Sequence, residues 1–285
     1  MKLTQIYKVE EIVLGIVTEQ GIVDVAAEAE RREIAAPASM LEAIEGGENA
    51  LKLLAQLADG AQCFAENAPA PAVTGGEKIL CIGLNYRQHA KECNLPLPPA
   101  PVLFNKFRNA LAADGDSVYL DPAYKEYDYE AELVAIIGKP ARNVSAEEAL
   151  DYVFGYTCGN DLSTRDLQFA RSNQWLLSKT FDGFAPLGPC VVTADSIDPA
   201  DLAISSTVNG ETRQDSRTSD LIFSPAQIVA DLSRHFTLLP GDLIFTGTPE
   251  GVIFGYPAEK QVWLKAGDAL TVTIEGIGTL SNTLC

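Results

Sequence analysis

In the stretch "YDYEAELVAIIGK" (127–139), Asp128, Glu130 and Glu132 recur at every second position and run into an unbroken apolar segment, Leu133–Ile137. Alternate side chains of a strand share a face, so the three carboxylates fall on the same side as Val134 and Ile136. Acids gathered on a face about to be buried repel one another and lose hydration, so they need either protonation or a cation. A divalent ion answers both difficulties: Mg²⁺ or Mn²⁺ takes oxygen ligands and leaves positions for water or substrate oxygens. Asp161, in "GYTCGNDLSTRDLQ", follows the strand-like "VFGYTCGN" and would add a third carboxylate. The plainer reading makes Glu130 and Glu132 a solvated strand end, and Asp161 a turn or cap before a short helix begun by Ser163.

A second group lies in "CIGLNYRQHAKE" (81–92), a strand running into a turn and a helix-like piece. His89 and Glu92 are i and i+3, close enough on a helix for the carboxylate to orient the imidazole and raise its basicity. Such a pair could activate water, or could be an exposed helix pair without a task. His235 falls near the end of an amphipathic helix (224–236), where a dipole or packing role is preferred. Lys179 sits in the apolar "QWLLSKTFDGFAPLGP" and could hold a carboxylate or an oxyanion, or simply extend to the surface. Thr246, Gly247 and Thr248 follow a strand and offer backbone N–H groups to an anion, or form an ordinary turn. Arg165 and Gln168 are again i and i+3, on a segment that could face the same cleft.

The elements that must position these residues are mostly short strands: "KILCIGL", "PVLF", "SVYL", "ELVAIIG", "PCVVT", "ISSTVNGETR", "DLIFTG" and "ALTVTIEGIGTLSN". Asn209-Gly210 between two alternating runs predicts a type I′ hairpin. Helices are expected from Ser145 and from Ser224, each opened by a capping box, the second with Pro225 at its first position. Before them, "IVLGIVT" and "GIVDVA" read as strands turning at Gly21, followed by two helical pieces. The clearer is "ENALKLLAQLADGA", with a Leu51, Leu54, Leu57 stripe ending at Gly60. The Ala/Pro-rich "ENAPAPAVTGGEK" (66–78) marks a boundary, giving a small N-terminal domain (1–70) and a larger one (71–285). Strands without regular βαβ alternation predict an α+β, β-rich fold in preference to a doubly wound sheet.

Composition narrows the partners. The chain has 285 residues, 21 basic and 39 acidic, a net charge of −18. That argues against nucleic acid and anionic membranes, both of which attract basic surfaces. An anionic substrate would need a metal or a few placed cations. No apolar run approaches the roughly 18 residues of a membrane span, and the N-terminus lacks a signal-peptide pattern, so a cytoplasmic protein is expected. Six cysteines without metal spacing are expected to be reduced.

Taken together, six segments in order resemble the fumarylacetoacetate hydrolase family over about residues 78–285. They are "CIGLNYRQHAKE", "DYEAELVAIIGK", "GYTCGNDLSTRDLQ", "LSKTFDGFAPLGP", "VNGETRQD" followed by "LIFSP", and "LPGDLIFTGTPEGV". The resemblance implies the family's mixed β-roll, a homodimer, and a small N-terminal domain like that of bacterial members of similar length. By motif position it implies that Glu130, Glu132 and Asp161 bind Mg²⁺ or Mn²⁺, with Ca²⁺ a crystallographic substitute. It gives His89 with Glu92 as the water-activating pair on a lid segment, and Lys179 as the active-site lysine. Arg165 and Gln168 fall on substrate-side positions, and Thr248 on an anion-holding loop. Asp128 lies outside the matched ligands, which predicts an exposed or supporting role. Two departures, "FNKFRNAL" in place of the more usual Lys-Pro and "FARSNQW" before Lys179, fall where substrate choice is expected.

The expected substrate is a small keto acid. A 2-oxo acid chelates the cation through carboxylate and keto oxygens, and cleavage between C3 and C4 leaves an enolate that the cation stabilises. The first expectation is therefore a metal-dependent hydrolase of a 2,4-dioxo (acylpyruvate-type) acid. The alternative, through the same enolate, is an oxaloacetate-type decarboxylase or an enol–keto tautomerase. A non-catalytic binding protein that kept the fold is a third reading.

Overall fold

The strand Ala131–Ile137 is buried at every position and lies inside an eleven-stranded sheet. The computed structural model describes residues 1–8, 11–63, 68–168, 170 and 174–285. Antiparallel to that strand, on one side, runs Val153–Asn160, and on the other Leu243–Phe245. Leu243–Phe245 pairs in parallel with Ile79–Gly83, which pairs antiparallel with Val102–Lys106. In the other direction Val153–Asn160 meets Ala185–Thr193, and then come Lys2–Lys8, Glu11–Thr18 and Gly21–Asp24. The first strands of the chain thus extend the sheet that carries the acidic strand.

Both faces of the central strand are covered, which accounts for its continuous apolar run. Val134 and Ile136 pack with Cys81, Phe104 and Phe245 on one face. Leu133, Ala135 and Ile137 face Ile204, Val272, Ile274 and Leu280 on the other. The last four belong to a second, five-stranded sheet in the order Glu211–Arg217, Ala203–Val208, Ala269–Ile274, Gly278–Leu284, Ser117–Val118. This sheet-rich mixed architecture agrees with the expected α+β, β-rich class. Glu130 and Glu132 leave the apolar layer on the Val134 face, where the strand reaches the edge of that layer.

Local signals act as their chemistry requires. Asn209 (φ 53°) and Gly210 (φ 80°) are both left-handed and close the hairpin between Ala203–Val208 and Glu211–Arg217. The helix Pro225–His235 carries the full capping box, with Ser224 and Gln227 each accepting the other's backbone N–H. His235 ends that helix exposed, 4.0 Å from Asp231. Leu54 and Leu57 are buried on the helix Met40–Ala58, which kinks at Gly47. The helix expected from Ser145 does not form: turns lead into a 3₁₀ helix, Ala149–Tyr152. There the Ser145 hydroxyl donates to the Glu148 side chain rather than capping the backbone, and eight residues from Ser145 onward reach the next strand at Val153, too few for two stable turns.

Candidate active site

Four buried carboxylates and three buried cations meet at the edge of the central strand. Asp161 follows the end of Val153–Asn160, the neighbour of Ala131–Ile137, and its backbone N–H donates to the Glu130 carbonyl at 2.9 Å. This places Asp161 beside Glu130 and Glu132, with carboxylate oxygens of the three within 4.8 Å of one another. Lys179 Nζ lies 2.7 Å from Glu130 Oε2 and 2.9 Å from Asp161 Oδ2. Arg165 reaches Glu130 Oε1 at 2.5 Å, Asp128 Oδ2 at 2.9 Å and Gln168 Oε1 at 2.9 Å.

Asp128 is wholly buried, so an exposed role is excluded. Its carboxylate accepts the Arg165 Nε–H and the backbone N–H groups of Tyr129, Ile253 and Phe254. It therefore fixes the guanidinium that in turn holds Glu130, while the short pairing of Ser163 with Asp128 brings Arg165 into reach. Buried acids of this kind need such partners.

The carboxylates differ in what balances them. Burial works against the charge of Glu130, but Lys179 and Arg165 outweigh it and hold the acid well below the usual range. Glu132 is pushed well up by burial and by the charges of Asp161 and Glu130. It accepts a hydrogen bond from the Gly247 N–H at 2.7 Å. Burial also raises Asp161, against the pull of Lys106 and Lys179. With all groups ionised the balance of Lys106, Arg165 and Lys179 against the four acids is 3 − 4 = −1.

These residues fit a hard dication. The donor set is all oxygen, as Mg²⁺ and Mn²⁺ prefer. Asp161 Oδ1 is buried and receives no hydrogen bond. Lys106 Nζ is only 2.6 Å from it, but its hydrogens go to the carbonyls of Leu162, Lys179 and Phe184. A dication would turn the local balance from −1 to +1 and give an acidic protein a place for an anion.

His89 stands opposite the acids on the short helix Arg87–Glu92. Its Nδ1 is 2.7 Å from Glu92 Oε1, and the Gly251 N–H donates to Glu92 Oε2 at 2.9 Å, which fixes the carboxylate. Burial alone would lower the imidazole. Contacts with Cys93 and Glu92, and the charge of Glu130, outweigh it and raise His89 to about 9.

His89, Glu130, Glu132, Arg165, Gln168, Lys179 and Thr248 all line one cavity of about 270 Å³, closed by Phe104, Trp175 and Phe254 among others. Glu92 stands behind His89, outside that lining. Thr248 Oγ1 accepts from Gln214 Nε2 at 2.8 Å, so its own hydrogen is left to donate. A larger cavity, about 530 Å³, opens against the helix Met40–Ala58, but none of these residues lines it. Size alone does not identify the site.

Several supporting residues escape the sequence reading. Lys106 sits in "VLFNKF" with the same signal as Lys179, a lysine in an apolar segment, and is fully buried. Gln214 also accepts the Ala131 N–H and so ties the acidic strand to Thr248. Asn85 spans Phe223 and Thr246 through three hydrogen bonds, holding the loop whose Gly247 bonds Glu132. Gly247 is left-handed, and a Cβ there would meet Asn85 Cβ at 2.7 Å. Of the two departures, Phe169, Arg171, Ser172 and Asn173 of "FARSNQW" lie outside the described residues. The other, "FNKFRNAL", contains Lys106.

A two-sheet roll with acids and a His–Glu pair across one cavity defines a class, and residues 78–285 match the fumarylacetoacetate (FAA) hydrolase C-terminal family. The chain belongs to that family. It is 42% identical to the mitochondrial oxaloacetate tautomerase fahd2 of Xenopus laevis over 252 residues, 86% of this chain and 78% of that one. A fumarylacetoacetate hydrolase from Exiguobacterium antarcticum superposes with a TM-score of 0.87 at 34% identity, covering 100% of this chain and 99% of its own. The maleylpyruvate hydrolase of Sphingobium sp. SYK-6, solved with manganese(II) and pyruvate, gives 0.81 at 29% identity, with 100% and 98% covered. Among the described residues no helix is long and apolar enough to cross a membrane.

Proposed function

We propose that the chain is a divalent-cation-dependent enzyme of small 2-oxo acids and, within that class, an enol–keto tautomerase of oxaloacetate-type acids. The observation that carries the reading is the shared cavity: His89 faces Glu130, Glu132 and Lys179 across about 270 Å³. Glu130, Glu132 and Asp161 would hold Mg²⁺ or Mn²⁺. When bound, such an ion supplies Lewis acidity, drawing substrate oxygens toward it and easing negative charge on the 2-oxo group.

The remaining work falls to the chain. With its pKa raised to about 9 in the metal-free chain, His89 carries a proton there at neutral pH. It gives that proton to C3 of the enol and is reprotonated as the enol hydroxyl gives up its own, so no water is consumed. Glu92 keeps the imidazole in place, a positioning role. Lys179 and the Thr248 hydroxyl meet negative oxygens, and the buried Arg165–Gln168 pair forms the cavity wall on the substrate side. Phe104, Trp175 and Phe254 exclude water. Similarity to an oxaloacetate tautomerase supports this order of preference.

Hydrolysis of an acylpyruvate is the second reading, favoured by the 2.7 Å His89–Glu92 contact, which suits activation of water. It requires the imidazole without its proton. Decarboxylation of oxaloacetate would use the same cation and no water. In either case we take 71–285 as the catalytic unit and 1–70 as a small attached domain, since none of the described residues of 1–70 lines the cavity. A homodimer in the cytoplasm remains part of the proposal.

The test is ultraviolet decay of enol-oxaloacetate with Mg²⁺ or Mn²⁺, alongside acid release from a short acylpyruvate. The tautomerase reading expects metal-dependent enol decay that exceeds the spontaneous rate and stops with chelator. Faster acylpyruvate cleavage, with enol decay at the background rate, would replace it by the second reading.

A further inference from the structure

His89 has a second neighbour that the proposed reaction does not use. Cys93 caps the helix Arg87–Glu92, and its Sγ lies 3.9 Å from the same Nδ1 that meets Glu92. Imidazole, carboxylate and thiol are i, i+3 and i+4, on one side of a single turn. One ligand atom from each lies within 4.8 Å of the other two. The cavity reaches both His89 and Cys93.

We propose that His89, Glu92 and Cys93 form a second cation site, selective for a borderline-soft ion such as Zn²⁺, whose occupation blocks the His89–Glu92 pair. The donor sets separate the two sites. Three carboxylates suit Mg²⁺ or Mn²⁺, whereas nitrogen, sulfur and one carboxylate suit Zn²⁺. Tetrahedral Zn²⁺ with bonds of about 2.0–2.3 Å sets N···S near 3.5 Å and N···O near 3.3 Å. The thiol therefore closes by about 0.4 Å from 3.9 Å and the carboxylate opens by about 0.6 Å from 2.7 Å, within side-chain torsional freedom. Glu92 starts in a fixed pose, since the Gly251 N–H holds its Oε2 and leaves Oε1 facing the site. Three protein ligands leave Zn²⁺ a fourth position open toward the cavity. Binding displaces the Nδ1 proton or fixes the other tautomer, and the Cys93 proton is released to solvent.

Loss of activity rests on the reading of His89 as the proton-transfer group; binding does not. The experiment uses the full chain carrying Cys63→Ser and Cys285→Ser, which leaves Cys93 as the one cysteine that is not buried. Co²⁺ replaces Zn²⁺ as a spectroscopic probe, and turnover is followed with Zn²⁺ under saturating Mg²⁺. The site predicts a thiolate-to-Co²⁺ charge-transfer band that Cys93→Ser abolishes. It also predicts that Cys93→Ser raises the Zn²⁺ concentration for half-inhibition by at least about tenfold, the least that a lost ligand should cost. The same Co²⁺ spectrum in Cys93→Ser would overturn the site. A Cys93-dependent band with Zn²⁺-insensitive turnover would uphold the site and remove His89 from the reaction.

Discussion

Lys106 Nζ lies 2.6 Å from Asp161 Oδ1 with both side chains wholly buried, yet the lysine's hydrogens go to three backbone carbonyls. The pair neutralises charge while leaving the acid's oxygen available. Replacing Lys106 by Met, similar in size, strands Asp161 and those carbonyls. Loss of about 3–5 kcal/mol is expected, the usual cost of breaking a buried pair. Added Mn²⁺ should restore part of it. Thermal melts with and without Mn²⁺ measure both effects, and an unchanged melting temperature would count against the pair's role.

Glu132 offers a test in which the variant is the more stable protein. Its carboxyl is raised well above the ordinary value by burial and by Asp161 and Glu130. An acid whose folded pKa is raised binds more protons folded than unfolded, so its contribution to stability falls as pH rises above about 4.5. Glu132→Gln removes that penalty and can still accept the Gly247 N–H. In metal-free protein it should melt at or above the wild-type temperature, and the gap should widen from pH 5 toward 8. The stabilisation by saturating Mg²⁺, about 2.7 kcal/mol at a hundredfold excess over Kd, should disappear. Retained Mg²⁺ stabilisation in the variant would remove Glu132 from the ligand set.

The two readings of His89 run in opposite directions with pH. A proton donor held near 9 stays charged through neutrality. Tautomerisation should then be flat in kcat/KM and fall as pH rises through about 9. Hydrolysis needs the neutral imidazole and should climb toward the same value. A tautomerase rate that rises from about pH 6.5, the ordinary imidazole value, would contradict donation by His89.

Asp128 supports the site without lining its cavity. Asp128→Asn weakens four hydrogen bonds and leaves Arg165 with Glu130 as its one anionic partner among the described residues. A loss of about 3 kcal/mol is expected. Because Arg165 then holds Glu130 less firmly, Mn²⁺ affinity should drop by about tenfold, as for other residues that orient ligands. Isothermal titration with Mn²⁺ measures it, and unaltered affinity would confine Asp128 to stability.

The acidic stretch was legible because its signal is local. Alternation puts Glu130 and Glu132 on one face whatever surrounds them, and the i, i+3 spacing of His89 and Glu92 pairs them on any helix. The capping box at Ser224 and the hairpin at Asn209-Gly210 are likewise short-range and held. The same kind of box at Ser145 did not make a helix, because the chain beyond it must enter the strand at Val153. Lys106 could have been read by the argument used for Lys179, but its ion pair with Asp161 spans 55 positions and has no sequence period.

By itself, then, the sequence determined which chemistry is possible: acids at strand spacing, a His–Glu pair, and a net charge that requires a local cation for an anionic substrate. Tertiary structure decided how those groups are balanced. Lys106, Lys179 and Arg165 converge on the acids from separate elements, Asp128 turns out buried beneath Arg165, and Cys93 closes on His89. Burial fixes these pairings, since desolvation of each charge depends on everything packed around it, and that surrounding is assembled from segments distant in the chain.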